Sequence, residues 1–203
     1  MFIHNLSHKT TVQKIGHTLH LAGLGFFLRW VSQVGLIYFF IILPAITFIQ
    51  YKYSRQPLDG YRNIWRDLLL VILVFGYGAG SLWNFVGHFF LTEMVAESIG
   101  WAKSPFQIEL AGYHLAFSLI SLLSLWNRNP GYWGAVVHAM AIFLFSAAGI
   151  HIYEMIVFKN YSYGNASFPI LIGTTLYPAM VIFIYWKFVA STKFHDQDKS
   201  PIA

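Results

Sequence analysis

The chain contains no cysteine and little charge, and both absences exclude whole classes of protein. Without cysteine there is no disulfide, no thiolate metal site and no cysteine nucleophile. Charged residues make up only 10% of the 203 residues, whereas 57% are hydrophobic. We therefore attribute the net charge of +5 to loop lysines and arginines near lipid headgroups, and expect no nucleic-acid partner. Residues 1–30 also lack the pattern of a cleaved signal peptide, so no cleavage is expected.

Long hydrophobic runs indicate an all-α integral membrane protein. A transmembrane helix needs about 20 mostly apolar residues, and continuous runs indicate helices rather than alternating strands. Residues 1–30 mix polar and apolar side chains, which suits an N-terminal amphipathic helix in the membrane interface or a tilted extension of the first span. No internal repeat is visible, so 1–203 is expected to form a single helical membrane domain. Five spans are predicted, at about 31–51, 67–97, 105–126, 131–157 and 168–190.

The basic residues beside these spans predict the orientation in the membrane. Eight lysines and arginines flank one side and five flank the other, which favours a cytoplasmic C-terminus and an N-terminus outside. The larger group comprises Lys52, Arg55, Arg62, Arg66, Arg128, Lys187, Lys193 and Lys199, and the smaller group comprises Lys9, Lys14, Arg29, Lys103 and Lys159.

Four prolines predict helix boundaries and irregularities. Pro105 and Pro130 each follow a polar loop, where the ring suits the first turn of a helix. Pro44 and Pro178 fall inside predicted spans, where each removes a backbone hydrogen bond and is expected to kink the helix.

All four glutamates and three histidines are predicted to lie at one end of the bundle. At a rise of about 1.5 Å per residue, the histidines lie roughly 10 Å inside the boundary and the glutamates about a turn shallower. Ionisable groups at such depth are costly unless they pair, face a cavity or bind a metal. Glutamate and neutral histidine are ligands for zinc, iron or manganese. The candidate ligands of a divalent metal are His88, Glu93, Glu97, Glu109, His114, His151 and Glu154.

Spacing within each helix limits how many of these side chains can share one ion. His88 and Glu93 are five residues apart, which separates them by about 140° around an ideal helix. Side chains three or four apart share a face, as His151 and Glu154 do. We expect one cavity formed by His88, Glu109, His151 and Glu154, with Glu93, Glu97 and His114 in or beside the ligand shell.

Two other functions are compatible with the same residues. His138 and His151 are 13 residues apart on one span, and a b-type haem between His88 or His114 and His151 would make the protein an electron carrier. Alternatively, the glutamates line a solvated vestibule of a non-catalytic accessory or lipid-interacting subunit. The sequence leaves open whether the protein is an enzyme, and whether it forms a homo-oligomer or joins a partner membrane subunit.

The stretch 87–115 resembles a family of small, uncharacterised bacterial membrane proteins. The resemblance rests on a glycine-histidine pair, then Ile-Gly-Trp, then Ser-Pro-Phe-Gln followed by a glutamate. It implies a helical, multi-pass protein of the bacterial inner membrane and no assigned activity. Independently of the resemblance, Ser104 and Pro105 suit the cap and first turn of the third span. The residues that carry the match are Gly87, His88, Ile99, Gly100, Trp101, Ser104, Pro105, Phe106, Gln107 and Glu109.

Overall fold

The computed structural model describes residues 45–46 and 63–198 of the chain. Long apolar runs separated by short polar turns give a chain of helices across 63–198, and no strand occurs in that range. The elements are α1 Ile64–Phe90, α2 Thr92–Ile99, α3 Phe106–Leu122, α4 Pro130–Val157, α5 Tyr163–Ala166, α6 Phe168–Thr174 and α7 Leu176–Asp198.

Four helices in the described range are long and apolar enough to cross a membrane, as expected of a multi-pass membrane protein. They match the predicted spans 67–97, 105–126, 131–157 and 168–190, except that the first ends at Phe90 and α2 follows as a separate short helix. The predicted span 31–51 and the interfacial helix in 1–30 lie outside the described residues, apart from a helical pair at 45–46. The single-domain organisation of 1–203 and the orientation stay predictions. The four helices are Ile64–Phe90, Phe106–Leu125, Pro130–Val157 and Phe168–Thr192.

Helix starts follow the local chemistry of the sequence. The Asn129 side chain accepts hydrogen bonds from the backbone of Gly131 and Tyr132, at 2.7 and 3.3 Å, and Pro130 occupies the first helical position, as predicted. The predicted side-chain cap by Ser104 is wrong. Pro105 is the N-cap residue of α3 and no side-chain oxygen caps that end, because backbone carbonyls of the preceding turn accept its first bonds.

The last span, Phe168–Thr192, is interrupted close to its proline. α6 ends at Thr174, and Thr175 departs from ideal helical geometry with φ −116° and ψ −73° before α7 begins. Pro178 has no N–H to bond the carbonyl four residues earlier, which is that of Thr174, so the helix breaks there. The predicted irregularity at Pro178 is therefore present. Pro44 lies outside the described residues.

α1 changes its helical geometry in the middle and packs against different neighbours along its length. Residues Ile72–Ala79 form a π-helix, in which Gly78 approaches the Leu122 side chain so closely that an added Cβ would lie 2.9 Å from its Cδ2. The first half of α1 packs against α7, and the second half packs against α3. A short connection through α2 makes α1 and α3 antiparallel neighbours.

The apolar core and the glutamates occupy opposite ends of the bundle. The first half of α1, the first half of α4 and α7 contribute the core, in which Leu69, Leu73, Trp133, Val137 and Val181 are fully buried. The last turns of α1 and α4, together with α2, α5 and the first turn of α3, form the other end, which carries all four glutamates of the chain. We call this the glutamate end.

Candidate functional site

Two histidines stack inside the bundle between α1 and α3. The rings of His88 and His114 lie 5.4 Å apart, centroid to centroid, and are within 16° of parallel. Both side chains are buried, and the edge of the His114 ring meets Phe143 of α4 at 5.3 Å. The two imidazoles therefore form a pair that is largely shielded from solvent, which we call the His88–His114 pair.

Gln107 sets the proton arrangement on one ring of the pair. His88 Nδ1 lies 2.6 Å from Gln107 Oε1, and Gln107 is almost fully buried. Since the amide oxygen only accepts, His88 Nδ1 carries the hydrogen and its Nε2 keeps the lone pair. His114 Nδ1, by contrast, is buried and has no hydrogen-bond partner among the described residues. The site thus combines His88, whose Nδ1 is held by Gln107, with His114, whose Nδ1 has no hydrogen-bond partner among the described residues.

The local folding of α1 and α3 explains how the pair is assembled. Gln107 and His114 are seven residues apart, two helical turns, so they project from the same face of α3. His88 lies in the last turn of α1, which ends at Phe90 and has Leu91 as its C-cap residue. The Thr92 hydroxyl donates a hydrogen bond to the His88 carbonyl at 2.9 Å. The antiparallel packing of the two helices brings this turn against that face.

His151 belongs to a second group, held by a loop after α4. Its Nδ1 lies 2.8 Å from Asn165 Oδ1, and the fully buried Asn165 donates from Nδ2 to the Asn160 carbonyl at 2.8 Å. The Trp101 ring stacks over the imidazole, 6.4 Å away and within 18° of parallel. His151 is therefore fixed by an amide and an indole, and among the described residues no second histidine stacks on it.

Glu154 joins the same group from one turn further along α4. Its Oε2 accepts from Asn160 Nδ2 at 3.1 Å, and the same Nδ2 lies 2.9 Å from the Ile99 carbonyl at the end of α2. Asn160 thereby connects α4 to α2. Gly100 adopts φ +81° directly beneath Asn160, a conformation that favours glycine. We call the group formed by Gly100, Trp101, Asn160, Ser162 and Asn165 the clasp.

The other three glutamates face outward. Glu93, Glu97 and Glu109 are all exposed. Glu93 lies 3.5 Å from Lys103 Nζ, and both side chains are more than half exposed, so the pair contributes little stability. Glu109 borders a shallow depression together with Thr92, Lys103, Ser104, Pro105 and Ile108.

The seven predicted ligands thus divide into three places instead of one. His88 and His114 form the pair, His151 and Glu154 pack against the clasp, and the remaining glutamates are exposed. Within 63–198 no three histidine or acidic side chains lie close enough together to hold a metal ion. The expected cavity shared by His88, Glu109, His151 and Glu154 is therefore not formed by their described side chains, because Glu109 is exposed and His151 contacts Asn165 in a group separate from His88.

The arrangement of the histidines also bears on the haem alternative. Axial ligands of a haem face each other across the iron, whereas the rings of His88 and His114 stack directly. His138 Nδ1 lies 2.7 Å from the Gly134 carbonyl of its own helix, and its ring packs edge-on against Tyr185 and Trp186. Among the described residues, His138 is thus occupied by local contacts.

Sequence reasoning missed the amide side chains that position both histidine groups. In the sequence, Asn160 and Asn165 belong to a polar segment that is interpreted as a connection between spans, and Gln107 is interpreted as part of a helix start. One signal was present: Gln107 and His114 share a helical face by their seven-residue spacing. The partners of Asn165 and Asn160 had no comparable signal, since the bond from Asn160 to Ile99 spans 61 residues.

Comparison with known proteins places this site in a family without an assigned activity. Residues 33–193 match the model of DUF6790, described as a family of unknown function. The match includes all seven predicted ligands, the His88–His114 pair and the clasp. No curated protein and no solved structure shows significant similarity to the chain. The match covers most of the sequence, and the chain belongs to DUF6790.

Proposed function

We propose that the protein takes up and releases a proton inside the membrane, at the His88–His114 pair. The observation that carries this proposal is the stacking of two buried imidazoles, of which His114 keeps an Nδ1 without a hydrogen-bond partner among the described residues. Imidazole gains and loses protons near neutral pH, and histidines inside membranes serve in proton relays. The pair lies within helices that are long and apolar enough to span the bilayer.

The surroundings suit one proton better than a divalent ion. Neither imidazole forms an ion pair with a described carboxylate, so a doubly charged ion would meet no compensating charge there. Two protons would repel each other, since unit charges 5.4 Å apart cost about 3 kcal/mol at an effective dielectric constant of about 20. The proposed state is therefore a single proton on the pair.

Nitrogen-15 NMR of the full chain in lipid nanodiscs tests this proposal. With histidine side chains labelled, a neutral ring gives two well-separated nitrogen signals. The two signals converge when the ring becomes an imidazolium. We expect the His88 and His114 signals to change together as the pH is lowered from about 8 to about 3, because burial disfavours the charged imidazolium. A His114→Asn variant should alter the His88 transition, whereas His138→Asn, a matched change at a locally bonded histidine, should leave it unchanged.

Two results would overturn the proposal. Rings that stay neutral across that range would show that the pair takes up no proton. Rings that titrate independently, with His88 unaffected by His114→Asn, would show that the two imidazoles do not share one. Folding of each variant is checked by circular dichroism and gel filtration, so that loss of structure is not mistaken for loss of proton uptake.

A second candidate function is binding of a divalent metal, namely zinc, iron or manganese, for catalysis or metal handling. The observation that favours it is that His88 and His151 each place Nδ1 against a side-chain amide oxygen. Metal-bound histidines commonly hold their second nitrogen in this way. Cobalt(II) added to the labelled chain separates the two functions: broadening of the histidine signals at one equivalent supports metal binding, and unchanged signals exclude it at these rings.

The finer topology is also proposed on the basis of charge and resemblance. We propose a bacterial inner-membrane protein with five spans, its N-terminus outside and its C-terminus in the cytoplasm, because basic residues are in excess beside the first loop and the tail. Reporter fusions at Lys103 and Lys193 test this orientation. Periplasmic activity at Lys193 with cytoplasmic activity at Lys103 would reverse it.

A further inference from the structure

α3 buries a polar face along nearly its whole length. Its fully or almost fully buried side chains recur every three or four residues, which places them within about 80° of arc at 100° per residue. Because α3 packs chiefly against α1, this face is the one directed toward α1. From the glutamate end onward, the buried residues of α3 and its final turn are Gln107, Ala111, His114, Ser118, Ser121 and Ser124.

Several polar atoms on this face are buried without a partner. Ser121 and Ser124 are both 0% exposed, and neither hydroxyl has a hydrogen-bond partner among the described residues. The same holds for Nδ1 of His114. A buried polar group left unsatisfied is costly, and such groups in native proteins are generally bonded to ordered water. Three of them along one face therefore indicate bound water between α1 and α3.

The spacing of the three serines fits single bridging waters, whereas the longer step from His114 to Ser118 needs a second water in line. His114 and Ser118 are four residues apart, about 6 Å along the helix, and each following serine is three residues on, about 4.5 Å. One water bridges two polar atoms that lie up to roughly 5.6 Å apart, since each hydrogen bond between oxygens is about 2.8 Å. From Gln107 to Ser124 the face extends about 25 Å, close to the thickness of a bilayer core of about 30 Å.

We propose that these residues bind a file of water that conducts protons from the His88–His114 pair to the opposite end of the bundle. This inference rests on the proposed function, because the pair supplies the proton at the glutamate end. Each step is a balanced transfer: an imidazole nitrogen releases H⁺ to a water, which releases another H⁺ to the next hydroxyl or water. No electron moves and no co-reactant is needed. Gln107 is the positioning residue, because its Oε1 accepts the His88 Nδ1 hydrogen and leaves Nε2 as the nitrogen of His88 that exchanges a proton.

The titratable side chains of the pair come from two helices, His88 from α1 and His114 from α3, and the apolar ring of Phe143 on α4 packs against His114. The nearest acidic side chain along α3, Glu109, is exposed at the glutamate end. The excess proton on this route is therefore carried by the His88–His114 pair and by the water molecules.

Proton flux into liposomes that contain the purified full chain tests the proposal. A potassium diffusion potential drives the flux, and a trapped pH-sensitive dye reports it. We expect wild-type flux well above that of protein-free liposomes, and about a tenfold decrease for Ser121→Ala or Ser124→Ala, since each removes a hydroxyl that holds the water file. Ser121→Thr, which restores a hydroxyl, should recover most of the flux. Ser146→Ala is the matched control, because this exposed hydroxyl bonds the Ile142 carbonyl of its own helix at 2.8 Å.

The outcomes distinguish this inference from the function on which it rests. Flux equal to that of protein-free liposomes, or serine-to-alanine variants that conduct like the wild type, would overturn the water file while leaving proton uptake by the pair intact. Absence of shared proton uptake in the NMR experiment would instead overturn the proposed function. A Ser146→Ala variant that loses as much flux as Ser121→Ala would also refute the route, since the effect would not depend on this face.

Discussion

Replacing Gly100 with alanine is expected to destabilise the clasp at the turn between α2 and α3. Gly100 has φ +81°, which costs a residue with a Cβ about 1–2 kcal/mol. The new Cβ would also collide with Ser162 Oγ, and would lie 2.6 Å from Asn160 Oδ1. Moving Asn160 away weakens its bonds to the Ile99 carbonyl and to Glu154, each contributing about 1 kcal/mol. The sum is about 3 kcal/mol.

The assay is reversible unfolding of the purified full chain in mixed micelles, followed by circular dichroism as the fraction of denaturing detergent increases. Gly112→Ala is the matched control, because this exposed glycine on α3 has no atom within 4 Å of the added Cβ. Greater helix propensity should leave that variant as stable as wild type or about 0.5–1 kcal/mol more stable. The reasoning is refuted if Gly100→Ala unfolds within about 0.5 kcal/mol of wild type, since the strain and the two hydrogen bonds would then contribute almost nothing.

Two further predictions concern the amide side chains. Gln107→Leu should lower the free energy of unfolding by about 1–3 kcal/mol in the same assay, because the buried Nδ1 of His88 loses its acceptor; a neutral result would mean that water replaces the amide. Asn165→Ala should make trypsin cut after Lys159 at least about tenfold faster, because His151 and the loop lose their shared hydrogen bonds; an unchanged cleavage rate would show that the loop is held by other contacts.

The helices themselves were predictable from local sequence. Four spans lie within a few residues of their predicted limits, apart from the break after Phe90, because hydrophobic length and turn chemistry act locally. Pro130 starts α4, and Pro178 follows the break between α6 and α7. Ser104 was the exception, since a serine before a helix can cap it or leave that role to backbone carbonyls, and sequence alone does not distinguish the two.

The end of the bundle that carries the candidate residues was predictable, but the partners of those residues were not. The predicted limits of the spans placed His88, His114 and His151 toward one end of the bundle, and the helices put them there. The rotation of each helix about its axis, and the path of the loop after α4, depend on packing between helices that no local pattern encodes. Those two features decided that His88 stacks on His114, whereas His151 contacts Asn165 of α5, 14 residues further along the chain. Local sequence therefore determined the end of the bundle at which these side chains lie, and only the tertiary structure determined which of them touch.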